Sequence, residues 1–373
     1  MDNKINKKIQ EHGITLRRYS GFNFSHPFTL KTIETHSQYY FDKFIGKIRL
    51  KAIVLDLDDT ALTSEKKILI SNLNEIRELK RKDPNMTTAF ATGSGVHQAK
   101  RHAEQVEIDF LITDNGGAIF ARKNTKYILL KHYPIPKKES LAISNKIIEL
   151  SKENPDMIYH FSTPLNFIIA DGEHNFKRAH DVFYPNEPFG DGVLQVSDFT
   201  EIEKKGLSKD IIKICVDFGK SEIGKKQCLE FERFLKENQI NYFPTTDSKF
   251  EIAPDGVNKG TAILEILRTL KSRGIPIRPK EVVAIGDSAN DEPMFELGFQ
   301  SFQPSNGKSR VPVQRLTRSN NEPFLKEAVD EFKTHTTPYL LAKIKEAKAY
   351  VRNSLSTETS SSRKRERETE IEL

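Results

Sequence analysis

Short, nearly continuous apolar runs alternate with stretches of helical periodicity from Lys51 onward, which predicts βαβ units around a parallel sheet. Four runs stand out: Ala52 to Leu55, Thr87 to Ala91, Phe110 to Ile112 and Val282 to Ile285. Strands covered by helices on both faces have this continuous rather than alternating character. Each run is followed by polar groups: Asp56, Thr92, Thr113 with Asp114, and Gly286 with Asp287. Ligands of open α/β sheets bind beyond the carboxyl ends of the strands, so these ends mark the expected site.

Between the third run and Lys259 the pattern is mixed. It predicts a helix near Lys138 to Lys152, strands at Met157 to Phe161, Asn166 to Ala170 and Ile211 to Phe218, a helix near Ile223 to Asn238, and a hairpin over Tyr242 to Ala253. Because the sheet pattern then resumes, residues 132–250 read as an inserted α+β cap, and residues 51–131 and 251–334 as one discontinuous core. Residues 1–50 read as an extension whose aromatic residues (Phe22, Phe24, Phe28, Tyr39, Tyr40, Phe41, Phe44) are buried contacts. Leu340, Leu341, Ile344, Ala347 and Val351 share one face of a helix expected within 335–353. The Ser-rich and charged segment 354–373 is expected to be disordered or a solvated helix.

The length of 373 residues suits two or three domains at roughly 100–200 residues each. With 37% hydrophobic and 29% charged residues and a mean hydropathy of −0.55, collagen-like, disulfide-scaffold and membrane-embedded classes are excluded. No stretch reaches the ~18 apolar residues of a membrane span, and the basic start lacks the apolar region of a secretory signal. Cys215 and Cys228 have no metal or disulfide spacing, which fits a reducing cytoplasm. A formal charge of +6 favours anionic partners but is too dispersed to call for nucleic acid.

Hydrolysis of a phosphate monoester needs a nucleophile, charge neutralisation and an acid for the leaving oxygen at one point. Asp56 and Asp58 in LDLDDT lie two residues apart, so an extended backbone aims both carboxylates into one crevice. Asp56 can attack phosphorus, while Asp58 protonates the departing alcohol and then activates water. Asp287 supplies a third carboxylate, and Asp291 completes the cluster or orients a metal-bound water. Such a cluster suits Mg²⁺, with Asp58 contributing its backbone carbonyl as a ligand. Thr92 and the Gly93 N–H are placed to hold phosphoryl oxygens, Lys259 to supply fixed positive charge, and Asn290 to make a further phosphate contact. Taken singly, each has a plainer reading: an acidic turn at a strand end, a helix cap, an exposed turn lysine, an Asx-turn. Their order along the chain, each at a strand end or helix start, favours the chemical one.

The runs LDLDDT, ATGS, VNKG and GDSANDEPMF resemble the four motifs of the haloacid dehalogenase-like hydrolases. NGG at 115–117, EIAPDGVNKG at 251–260 and the long insert resemble the Cof-like branch in particular, over about residues 50–333. That resemblance implies a Rossmann-like parallel-sheet core with an inserted cap, Mg²⁺, an aspartyl-phosphate intermediate and a small phosphorylated substrate such as a sugar phosphate. It assigns Asp56 as nucleophile, Asp58 as acid and base, Thr92 and Lys259 to phosphate, and Asp287 with Asp291 to the metal. One departure is Ser94, where the Cof-like pattern commonly carries Arg.

Weaker signals have plainer explanations. His174, Lys177, Arg178 and His180 read as a solvated face of the cap rather than substrate contacts. His97 and His102, five apart on a helix, read as structural, and Cys215 as a core thiol. The Ser- and Glu-rich end is similar in composition to type IV translocation signals, which would place the enzyme in a host cell with a phosphoprotein (phosphotyrosine) substrate. Phosphomutase and non-catalytic phosphate-binding readings also remain open, as does the oligomeric state.

Overall fold

The computed structural model describes residues 49–170, 177–179, 181–182 and 192–333. The expected N-terminal extension, the helix within 335–353, the tail 354–373, and His174 and His180 lie outside the described residues. The four apolar runs form β1 (Ala52–Leu55), β2 (Thr87–Ala91), β3 (Phe110–Thr113) and β12 (Val282–Ile285). They sit side by side in an eight-stranded sheet of order β14-β13-β12-β1-β2-β3-β4-β5. Here β13 is Gln300–Gln303, β14 Gln314–Arg315, β4 Ala118–Lys123 and β5 Lys126–His132. Pairing is parallel from β14 to β3 and antiparallel through β4 and β5.

Period-two alternation splits each central strand between two cores. Ile53, Leu55, Phe90 and Leu111 pack with α1 (Ile70–Lys82), α2 (Val96–Val106) and residues 325–332. Ala52, Val54, Ala89 and Ile112 pack on the other face against α6 (Lys259–Ser272) and α7 (Glu292–Phe295).

The insert forms its own six-stranded sheet, order β10-β11-β9-β6-β7-β8. Its strands are β6 (Ile158–Ser162), β7 (Phe167–Ala170), β8 (Val193–Val196), β9 (Lys213–Asp217), β10 (Tyr242–Thr246) and β11 (Lys249–Ile252). Three helices accompany it: α3 (Lys137–Ser151), α4 (Phe199–Lys204) and α5 (Glu222–Glu237). Tyr159, Phe161, Ile214, Val216, Phe250 and Ile252 form the core on the helix side. The intervening residues His160, Ser162, Lys213, Cys215 and Glu251 therefore share the opposite face. The sheet ends at Ile252, so β11 crosses the boundary expected at 250.

Candidate active site

Four backbone segments deliver the site. Beyond β1 the chain makes a wide turn closed by Ala61 N–H donating to the Asp56 carbonyl (3.1 Å) and Leu62 N–H to that of Leu57 (2.8 Å). Asp58 stays extended inside this turn, and Asp59 takes φ +57°. At the start of α6, the Asn258 side chain accepts from Thr261 N–H while the Thr261 hydroxyl accepts from Asn258 N–H. This reciprocal cap fixes Lys259 in the first helical turn. Beyond β12, Asp291 Oδ2 accepts from the N–H groups of Asp287 (2.9 Å) and Ser288 (3.0 Å). A Cβ on Gly286 would lie 2.4 Å from the Asp291 carboxyl carbon, so only glycine permits this fold-back.

Lys259 Nζ donates to Asp56 Oδ1 at 2.6 Å and to Asp291 Oδ1 at 2.7 Å, with its side chain fully buried. Asp287 Oδ1 accepts from the Thr60 hydroxyl at 3.1 Å. Carboxylate oxygens of Asp56, Asp287 and Asp291 all lie within 4.8 Å of one another. Burial pushes the Asp56 carboxyl well above the usual aspartate range despite Lys259, with Asp291 and Asp287 adding to the rise. Burial and then the Asp291 charge raise Asp287 to about 6. Burial disfavours the Lys259 cation, but the charges of Asp291 and Asp56 outweigh that and hold the ammonium protonated. One ammonium is therefore too little positive charge for three buried carboxylates. Hard oxygen donors that close together fit a divalent cation, which would let all three ionise.

Asp58 stands apart from this cluster. Its carboxylate accepts from Lys66 Nζ at 2.7 Å and from the Ser94 hydroxyl at 3.1 Å. The Asp58 side chain is outside the three-carboxylate group, while its partner Lys66 feels the charges of both Asp58 and Asp56. Only its backbone carbonyl remains as the expected metal ligand. Ser94 replaces the positive charge commonly found after that glycine with a hydroxyl that ties the second motif to Asp58.

Thr92 and Gly93 leave β2 beside the loop Asp114–Gly117. Thr92 N–H donates to the Ile112 carbonyl (2.9 Å), and Asn115 N–H donates to the Thr92 carbonyl (3.0 Å). Asn290 lies with the amide of Asn115 (3.1 Å) and accepts from the Ser288 hydroxyl (2.7 Å). Asn115 in turn donates to Glu251 of β11 at 3.2 Å.

Several of these partners escape a reading of the sequence. Thr60, Asn115 and Glu251 stand inside runs that carry the resemblance, which is the signal available for them. Lys213 stands out only as a cation in the apolar strand IIKICVDF; its ammonium donates to the Gly93 carbonyl at 2.7 Å and pairs with Asp114 at 3.1 Å. His97 Nε2 meets the Leu165 carbonyl of the insert at 2.6 Å. His102 accepts from Arg101 Nε at 3.1 Å. Arg178 donates to the carbonyls of Pro155 and Asp156 within the cap. Cys215 is buried, and burial pushes its thiol up to about 12.

The profile of the haloacid dehalogenase-like hydrolases matches residues 53–322. The 5-amino-6-(5-phospho-D-ribitylamino)uracil phosphatase YwtE of Bacillus subtilis is 26% identical over 300 residues, covering 76% of this chain and 98% of that protein. Phosphatase YwpJ of the same organism is 24% identical over 298 residues, covering 73% and 96% respectively. A haloacid dehalogenase-like hydrolase from Bacteroides thetaiotaomicron shares the fold with a TM-score of 0.59 at 18% identity, over 76% of this chain and 99% of that one. The match spans both halves of the core and the insert between them, so the chain belongs to the haloacid dehalogenase-like hydrolases, in their Cof-like branch, and is a phosphoric monoester hydrolase.

Proposed function

We propose that the protein hydrolyses a small phosphorylated metabolite, such as a sugar phosphate, in the cytoplasm, with Mg²⁺ and through a phosphorylated Asp56. The observation that carries this reading is the buried Asp56–Lys259–Asp291 chain with Asp287 beside it. Asp56, Asp287 and Asp291, with the Asp58 carbonyl, would hold the ion, which when bound neutralises charge on carboxylates and phosphoryl oxygens.

An Asp56 carboxylate oxygen attacks phosphorus, forming a P–O bond as the bond to the leaving alkoxide breaks. The Asp58 carboxyl gives its proton to that alkoxide, releasing the alcohol. Asp58 then takes a proton from water as the water oxygen attacks the same phosphorus; the Asp56–phosphorus bond breaks and phosphate leaves. Thr92 and the Gly93 N–H orient the phosphoryl oxygens, with Asn290 adding a contact, and Lys259 keeps Asp56 aimed and offsets its charge. Lys66 and Ser94 hold Asp58 in place between the two half-reactions. The cap sheet excludes water during the first transfer and selects the alcohol.

A phosphate-release panel of sugar phosphates, nucleotides and phosphopeptides with Mg²⁺ tests this. Turnover of small esters supports it. Activity confined to phosphopeptides replaces the substrate class, and transfer to a second hydroxyl without net phosphate release makes the enzyme a mutase.

Mg²⁺ affinity should depend on pH in a defined direction. The raised pKa of Asp287 means that below about 6 a proton must leave before the cation binds. Calorimetric affinity should fall as pH drops through about 6, since Asp287, and Asp56 with it, must lose a proton before the cation binds. In the metal-free protein the same shift favours the folded state at low pH, and that contribution is lost as pH rises through about 6. The rise in melting midpoint on adding Mg²⁺ should thus be larger at pH 7.5 than at pH 5; an equal rise contradicts the assignment.

A further inference from the structure

We propose that Lys213, carried by the inserted domain, is a positioning residue that completes the core's phosphoryl-binding loop, so that seating of the cap and formation of the anion site are one event. The inference rests on the assignment of Thr92 and Gly93 to phosphate made above.

Three consecutive carbonyls shape that loop, and each has a donor. Asn115 N–H holds the Thr92 carbonyl at 3.0 Å, and Asp114 N–H holds the Ser94 carbonyl at 3.1 Å. The Gly93 carbonyl between them is held by Lys213 Nζ of β9, at 2.7 Å. Two anchors therefore come from the core and the middle one from the insert. The middle position is also the one whose backbone is freest, because glycine lacks a Cβ to restrict it.

Peptide planarity converts these anchors into a direction for the binding group. The Thr92–Gly93 bond is trans, so the Gly93 N–H points opposite to the Thr92 carbonyl. That carbonyl faces the loop after β3, and β1 lies on the other side of β2. The Gly93 N–H is thereby turned toward the strand that ends in Asp56.

Lys213 supports the core anchors as well. Its ammonium pairs with Asp114 at 3.1 Å, and the two side chains are 8% and 1% exposed. Asp114 and Asn115 both hold left-handed backbone conformations, φ +51° and +54°, which non-glycine residues rarely adopt. Gly116 follows at φ +104°, and a Cβ there would lie 2.4 Å from the Asn258 carbonyl. Asp114 thus meets the insert's lysine at the head of a constrained turn whose N–H groups clamp the loop. Charges this buried are stable only when paired, so lifting the cap returns both groups to water and releases the Gly93 carbonyl. Burial raises the pKa of Asp114, and the Lys213 charge opposes that rise.

The test is binding of orthophosphate to the full-length, Mg²⁺-loaded protein by calorimetry, read with melting midpoints. Lys213→Met, of similar volume, should weaken orthophosphate at least tenfold, whereas Lys226→Met at an exposed position of α5 should stay within about twofold of the parent. Lys213→Met within twofold of the parent overturns the proposal. Should Lys213→Met fail to fold, Lys213→Arg and Lys213→Gln decide: retention of binding by Arg and loss by Gln supports it, and equal binding by the two overturns it. Thr92→Val is the separate check on the underlying assignment. If Thr92→Val loses orthophosphate while Lys213→Met does not, the loop is the anion site and the coupling through Lys213 is wrong. If Thr92→Val binds like the parent, the loop assignment itself falls.

Discussion

Asp56→Asn should lower phosphate release by about 10⁴-fold or more while leaving the protein folded. The substitution preserves shape at a position that is 4% exposed and keeps an oxygen able to accept from Lys259. What it removes is the anionic oxygen that bonds to phosphorus. A variant with unchanged circular dichroism and melting midpoint that retains more than about a hundredth of the parent rate would rule Asp56 out as nucleophile.

Lys259→Met should destabilise the core strongly. The ammonium is fully buried and bonded to two carboxylates, Asp56 and Asp291, which face Asp287 as well. Removing one partner from a buried pair costs about 3–5 kcal/mol because the remaining charge is left uncompensated. Unfolding in a chelator at pH 8 should show a loss of that order, and excess Mg²⁺ should restore part of it by substituting one cation for another. A loss below about 1 kcal/mol would mean that Lys259 does not neutralise this cluster, contrary to the account. Lys259→Arg should not rescue the protein, since the fork of a guanidinium does not fit a point-charge site of this size.

The readable parts of the fold are those where local chemistry and tertiary position agree. AIVL, TTAFA and VVAI are strands because helices cover both faces, and that leaves a continuous apolar run in the sequence. QSFQ and QR form β13 and β14 at the edge of the same sheet, with too few apolar residues to signal a strand. Their register comes from β12, which only the folded core supplies. In the hairpin of β4 and β5 only the first half of β4 is buried, β5 is half-exposed along its length, and the turn carries charges, so it too gives a weak signal.

The site divides in the same way. Asp56, Lys259, Asp287 and Asp291 are recognisable because each lies next to the strand end or helix start that delivers it. Asp58 is legible as the second acidic residue of its motif, but its partners are not: φ +57° at Asp59 and the wide turn around it leave the Asp58 carboxylate with Lys66 and Ser94. Ser94 reads as a missing charge, and its hydroxyl contact is visible only in three dimensions. Lys213 could not be assigned at all, because its partners Gly93 and Asp114 belong to another sheet.

The central claim is that a phosphoryl group passes through Asp56. Rapid acid quench of the enzyme during steady turnover of a ³²P-labelled substrate, followed by peptide mapping, tests it most directly. The account predicts acid-stable, hydroxylamine-labile label on the peptide that contains Asp56, absent from Asp56→Asn. Sustained turnover with that peptide unlabelled at every quench time, or label on another residue, would contradict it.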